Sequence, residues 1–354
     1  MDLEELIRRI PPLDEAAMAA ARARQNRLTK PPGSLGRLEE LAVQLAGITG
    51  QALPRIQHKV IAVMAGDHGV VAEGVSAYPQ AVTAQMVANF LRGGAAINVL
   101  ARHVDARVVV ADLGVATELP DQDPLARALV RVKVAPGTGN IAQGPAMSRE
   151  QAVQALLAGA QVVEQELARG LDILATGDMG IGNTTPSAAI AAAFTGRPPQ
   201  EIVGRGTGLD EAGLAHKAEV VRRALAVNRP SAEDGLDVLA KVGGFEIGGI
   251  AGAMLAAAGH RRPVMVDGFI STAAAMVAVA LAPQVRPYLI AAHHSVEQGH
   301  GIMLEWLRLQ PLLKLEMRLG EGTGAALGIS LAEAACKLMA EMATFDEAGV
   351  SERA

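Results

Sequence analysis

Cysteine is almost missing from this 354-residue chain, and the single one, Cys336, leaves no intrachain disulfide to form. It lies in "AEAACKLMAEM", a helical pattern in which a lone thiol reads as a small buried apolar group, without a catalytic role. Aromatic residues are only 2% of the chain, so a pocket for a flat organic ring has to be walled largely by aliphatic and methionine side chains. No apolar run reaches the ~20 residues of a membrane-spanning helix, and "MVAVALAP" is stopped by its proline. No dense basic run occurs either. With 32 Lys and Arg against 37 Asp and Glu the net charge is −5, which disfavours nucleic acid as a partner. The opening "MDLEELIRRIPPLDEAA" lacks the basic start and apolar centre of a secretory signal, so a cytoplasmic location is expected. What remains is a length sufficient for one large or two ordinary domains around an extensive core.

The patterning alternates. "LDEAAMAAARARQNRL" and the end of "TKPPGSLGRLEELAVQLAGI" are helix-like, with prolines and glycine enforcing a turn between them. β-rich runs follow, "KVIAVMAGD", "ARVVVADLG", "LDILATGD", "RPVMVDG" and "PYLIAAHH", separated by helical stretches such as "QAVTAQMVANFLR", "REQAVQALLAGAQVVEQEL", "DEAGLAHKAEVVRRALA" and "STAAAMVAVALA". Such alternation predicts an α/β fold with a largely parallel sheet flanked by helices, whose ligands bind at the carboxyl ends of the strands. Several runs deliver polar residues there: Asp67 and His68, Asp178, Asp267, then His293, His294 and Ser295. Each alone reads as an ordinary turn; together they point to a composite site. "GAALGISLAEAACKLMAEMATF" is expected to pack near the N-terminal helices as a small helical lobe.

Familiar signatures are missing. No glycine precedes a lysine, so there is no phosphate loop ending in G-K-[ST], and no G-x-G-x-x-G follows a strand. A Rossmann-type dehydrogenase therefore rests on alternation alone. "HHSVEQGH" lacks the spacing of a zinc site, and no metal is expected. Three glycine loops carry more. In "GDMGIGNTTPSAAIAAAF" the helix is expected to start near Thr184 or Thr185, with Pro186 in its first turn. Backbone N–H groups and the positive end of the helix dipole make an anion site there, unless Asn183 or Thr184 merely caps the helix; this stretch alone leaves both open. "VGRGTGLDEAGLAHKAEVVRRAL" again runs from glycine loop into helix, with Lys217 two turns in, either reaching an anion or lying on a solvated face. In "MRLGEGTGAALGISL", Glu321 sits between two glycines before a helix. It is a capping acid or, with so little to crowd it, a general base. Gly-Thr-Gly recurs at Gly137, Gly206 and Gly322, a tripeptide suited to phosphate or ribose contacts.

Taken in order, "KPPGSLGRLEELAVQLA", "DHGV", "VSAYPQAVTAQM", "GNIAQGPAMSREQA", "GDMGIGNTTPSAAI", "KVGGFEIGGIAGAML", "PVMVDGFISTAAA", "VRPYLIAAHHSVEQGH" and "MRLGEGTGAALGISLAEAA" resemble the nicotinate-nucleotide:dimethylbenzimidazole phosphoribosyltransferase family over nearly the whole chain. The resemblance implies a three-layer α/β catalytic domain over 50–325, with 1–49 and 326–354 forming the small helical lobe, and a homodimer. It implies transfer of 5-phosphoribosyl from nicotinate mononucleotide to 5,6-dimethylbenzimidazole, giving α-ribazole 5′-phosphate with no cofactor and no metal. Matched to the family's pattern, Glu321 is the catalytic base and Asp178 a supporting catalytic acid lying with the glycine turn along the donor's ribose and phosphate. Gly180, Gly182, Asn183, Thr184, Gly206, Lys217 and Ser295 hold the donor's ribose and phosphate, and Tyr78, Met86 and Leu319 form the benzimidazole slot. The chain departs from the commoner pattern at Asp178, where relatives more often carry Glu. The benzimidazole side also varies, which leaves another lower-ligand base open. A non-catalytic nucleotide or azole binder on the same scaffold is the contrasting reading.

Overall fold

The valine-, isoleucine- and alanine-rich runs become strands covered on both faces. In the computed structural model, which describes residues 2–117, 127–206 and 208–351, β1 spans Lys59–Gly66, β2 Ala106–Gly114, β3 Val130–Arg131, β4 Ile173–Met179, β5 Val264–Val266 and β6 Leu289–Ala291. All pair in parallel, in the order β3-β2-β1-β4-β5-β6. This is the order of a doubly wound sheet, whose ligand crevice opens where the order reverses, here between β1 and β4. Five strands coincide with the five β-rich runs. The sixth, β3, is two residues long and has no room to show a period.

Side chains alternate across the sheet. From β1, Val60, Ala62 and Met64 enter one apolar core while Ile61, Val63 and Ala65 enter the other. Helices Arg149–Leu167, Thr184–Thr195, Gly235–Val242, Phe245–Gly259 and Phe269–Leu281 cover the first core. Arg37–Thr49, Val82–Arg92, Ala96–His103 and Thr323–Glu341 cover the second, completing three layers. Helix Arg149–Leu167 begins and ends where its periodicity predicts, opened by a capping box between Ser148 and Gln151.

Helix Phe245–Gly259 has no polar face: every residue but the last is buried. Its glycines let two backbones meet. A Cβ on Gly159 would lie 1.8 Å from the Gly249 carbonyl oxygen, and one on Gly252 1.8 Å from that of Leu156. The terminal segments meet as well: Arg24 Nε donates to the Met339 carbonyl at 2.6 Å, Leu28 bridges antiparallel to Thr344, and helix Arg37–Thr49 packs on Thr323–Glu341. The "KPPGSLG" turn is organised by the Glu39 carboxylate, which accepts from Leu35 N at 3.0 Å and Gly33 N at 3.3 Å and pairs with the buried Lys30 at 2.8 Å. Among the described residues, no helix is long and apolar enough to cross a membrane.

Candidate active site

The site starts at the end of β4. Gly177 lies where a Cβ would come within 2.5 Å of the Glu321 carbonyl oxygen, so this strand and the loop carrying Glu321 touch backbone to backbone. Asp178 follows, buried, and then the chain turns through Gly180 and Gly182 into helix Thr184–Thr195. A Cβ on Gly180 would sit 2.3 Å from the Gly66 carbonyl oxygen, and Gly182 has φ +86°. Asn183 makes no side-chain cap. Its Nδ2 donates to Asp178 Oδ2 at 2.9 Å instead, so the capping alternative for Asn183 gives way to a bond that orients the acid.

Lys217, on helix Glu211–Asn228, is buried. Its Nζ donates to Thr184 Oγ1 at 2.6 Å and to the Gly204 carbonyl at 3.3 Å, and burial pushes the ammonium down to about 8. Gly206, at φ +52°, leaves room over both groups: a Cβ there would come within 3.1 Å of Thr184 Oγ1 and 3.2 Å of Lys217 Nζ. From the opposite wall Arg318 Nη1 donates to the Gly206 carbonyl at 3.0 Å. A helix start, a hydroxyl, an ammonium and a guanidinium therefore converge on one glycine, an arrangement suited to a phosphate.

Ser295 is fixed by a relay. Its N–H donates to His300 Nδ1 at 2.8 Å, His300 Nε2 meets Thr272 Oγ1 at 2.9 Å, and that hydroxyl donates to the Gly268 carbonyl at 2.7 Å. An imidazole accepting at Nδ1 and donating at Nε2 is neutral, and burial, followed by His293 and His294, holds its titration at about 3.

Glu321 occupies an unusual backbone. Gly320, Glu321 and Gly322 have φ of +78°, +61° and +92°, three consecutive left-handed residues. The Asp267 carboxylate accepts from Gly322 N at 3.0 Å and Ala325 N at 2.8 Å, so an acid from the end of β5 caps helix Thr323–Glu341 from outside. Burial, then the Asp267 charge, pushes Glu321 up to about 7. Burial and Asp267, with Glu246 and Glu321 behind them, hold Asp178 well above the usual carboxylate range despite Asn183. A Cβ on Gly320 would be 3.3 Å from Asp178 Oδ1, so the two acids share one wall.

These pieces surround a single cavity of about 700 Å³. Of the residues expected from sequence, Tyr78, Met86, Asp178, Gly180, Gly182, Asn183, Thr184, Gly206, Ser295, Leu319 and Glu321 line it; Lys217 stands just behind, reached through Thr184 and Gly206. Ser76, His293, Glu297 and Arg318 also line it, and sequence reasoning assigned none of them a substrate. "HHSVEQGH" was the available signal for His293 and Glu297. Several polar strand ends do other work. Asp67 Oδ2 accepts from Ala116 N, and His68 Nε2 pairs with the buried Glu246 at 2.7 Å beneath Gly180. The Gly137 loop packs against Asp67 and Gly69, not on the cavity. The Thr of the Gly206 tripeptide lies outside the described residues. Among the described residues, no group of His, Cys, Asp and Glu is placed to hold a metal ion.

A family model described as phosphoribosyltransferase matches residues 10–350. The chain is 62% identical over 349 residues to a nicotinate-nucleotide–dimethylbenzimidazole phosphoribosyltransferase from Roseiflexus sp. (strain RS-1), covering 99% of this chain and 98% of that one. To the protein of the same name from Geobacter sulfurreducens it is 55% identical over 350 residues, again covering 99% and 98%. The crystal structure of CobT from Thermus thermophilus superposes with a TM-score of 0.91 at 51% identity, over 96% of this chain and all of that one.

Proposed function

Since the chain belongs to the nicotinate-nucleotide–dimethylbenzimidazole phosphoribosyltransferases, we propose how its cavity carries out the transfer of 5-phosphoribosyl from nicotinate mononucleotide to 5,6-dimethylbenzimidazole. The donor's 5′-phosphate lies against Gly206, Thr184 and Lys217, with its ribose along Gly180, Gly182, Asn183 and Ser295. The acceptor enters beside Tyr78, Met86 and Leu319, whose flexible thioether and aliphatic surfaces suit a flat ring in a chain poor in aromatics.

Chemistry follows from the charges of the reactants. The donor's pyridinium is already cationic, so breaking the bond to C1′ returns its electron pair to nicotinate and needs no acid. One benzimidazole nitrogen forms the new bond from the opposite face, inverting C1′, and the ring becomes cationic. Its second N–H then acidifies, and Glu321 takes that proton. The observation that carries this assignment is the Glu321 carboxylate, buried in the cavity wall and poised at about 7, where it is both ionised often enough and basic enough to act. Asp178, held toward its neutral form and oriented by Asn183, donates a hydrogen bond to the substrates without competing as base.

Incubation with both substrates is expected to release nicotinate and form α-ribazole 5′-phosphate in equal amounts; tight donor binding without release, across several azole bases, would leave only a binder. Tyr78 and Leu319 are about half exposed, which favours an acceptor slot open to other flat bases as well. The finer organisation belongs to the same proposal: a cytoplasmic homodimer, with a catalytic domain over 50–325 and a helical lobe from 1–49 and 326–354. The exposed apolar surface of Tyr78 and Leu319 supports a second copy near the cavity mouth.

A further inference from the structure

Glu297 lines the donor end of the cavity and is buried, yet its Oε2 has no hydrogen-bond partner. A carboxylate oxygen buried without a partner is costly, so its position calls for a compensating charge. That charge is one peptide away. A Cβ on Gly204 would fall 1.8 Å from Glu297 Oε2, so only glycine admits the carboxylate, and the carbonyl of the same Gly204 accepts from Lys217 Nζ. The two charges flank one glycine.

The turn that carries Glu297 is docked onto this segment. Glu297 N donates to Ser295 Oγ at 3.3 Å, His300 N to the Glu297 carbonyl at 3.0 Å, and Gln298 Nε2 to the Gln200 carbonyl at 3.1 Å. A Cβ on Gly299 would come within 2.5 Å of the Ile202 carbonyl oxygen. "HHSVEQGH" thus builds a hydrogen-bonded turn that brings both Ser295 and Glu297 to the cavity wall.

Around Lys217, Glu297 is the acid that faces it; Arg318 lies across Gly206, and helix Thr184–Thr195 presents the Thr184 hydroxyl. Glu219, Arg222 and Arg223 of its own helix lie exposed elsewhere. An ammonium has three N–H bonds, and Thr184 and Gly204 take two. A carboxylate bonded directly would occupy the position a phosphate oxygen needs. Held behind Gly204, it supplies charge through a low-dielectric medium and leaves that position to the ligand.

We infer that Glu297 is a positioning residue of the donor subsite: its buried carboxylate keeps the Lys217 ammonium charged and seated at Thr184 for the donor's phosphate. This rests on the reading of Lys217 as a phosphate ligand. The lysine's titration near 8, lowered by burial and raised by Glu297, agrees with it.

The test is the pH dependence of kcat/KM for nicotinate mononucleotide, from pH 6 to 10, in the whole protein. Glu297→Gln is expected to move the alkaline limb about one unit toward lower pH, losing about tenfold near pH 8.5, while kcat at saturating donor stays within about threefold. Glu297→Asp, which keeps the charge, is expected to restore most of the limb. Should Glu297→Gln not accumulate as folded protein, Gly204→Ala, which pushes the carboxylate away, is expected to shift the limb the same way. Lys217→Met separates the two claims. If it cripples donor use while the limb is unmoved in Glu297→Gln, the role of Glu297 is overturned and the phosphate reading stands. If Lys217→Met leaves kcat/KM intact, both fall.

Discussion

At the scale of single residues, the cavity pushes two carboxylates in one direction but to different ends. Glu321 titrates near neutrality, whereas Asp178 is held well above the ordinary range by burial and by Asp267. Glu321→Gln is therefore expected to lower kcat by about two to four orders of magnitude with donor KM little changed, and Asp178→Asn, which preserves a neutral group that Asn183 can still reach, by less than about tenfold. Steady-state rates on the two variants check this; equal losses would give Asp178 a charged role. Because a base works ionised, kcat of the unmodified protein is expected to climb as pH rises through about 7, and a flat profile there would count against Glu321. Part of this site was legible from residue types, a lone acid between glycines and glycine loops running into helices, whereas Tyr78, Met86 and Leu319 were reached only through the family resemblance. Arg318 was not, because an arginine in a loop reads the same whether it meets solvent or the Gly206 carbonyl. Asn183 was half legible. Its place at a helix start suggested a cap, and only the distance to Asp178 shows which neighbour it satisfies.

At the scale of elements, strands were read more easily than helices. Unbroken runs such as "KVIAVMAGD" announce a strand buried on both faces, whereas "FEIGGIAGAMLAAAG" hides a helix, because full burial removes the polar face that reveals a period and its glycines imitate a loop. Those glycines are the reason two helices touch. Gly252→Ala would drive a methyl into the Leu156 carbonyl, so the helices must separate; we expect a loss of at least about 1–3 kcal/mol, read as a lower urea midpoint, even though alanine is the better helix former. An unchanged midpoint would mean the crossing is looser than the structure indicates.

At the scale of the whole molecule, the sheet order matches that of dinucleotide-binding proteins, but the glycine turn follows β4 and not β1. In the donor placement proposed above, the same architecture presents its helix start to a mononucleotide's phosphate, one strand away from where a fingerprint search looks. Stability is also a property of the whole chain, and the left-handed Gly320–Glu321–Gly322 run bears on it. A glutamate at φ +61° sacrifices roughly 1–2 kcal/mol, part of which asparagine, better tolerated in that region, would recover. The carboxyl adds a pH-dependent part. Its titration rises from 4.5 in the open chain to about 7 in the fold, so its contribution is complete below pH 4.5 and is lost as pH climbs through 7. Glu321→Asn is accordingly expected to melt higher than the parent, by a wider margin at pH 8 than at pH 5, while turning over almost nothing; calorimetry at the two pH values decides it. Selection for thermal robustness alone, with no demand for the product, would not retain this residue.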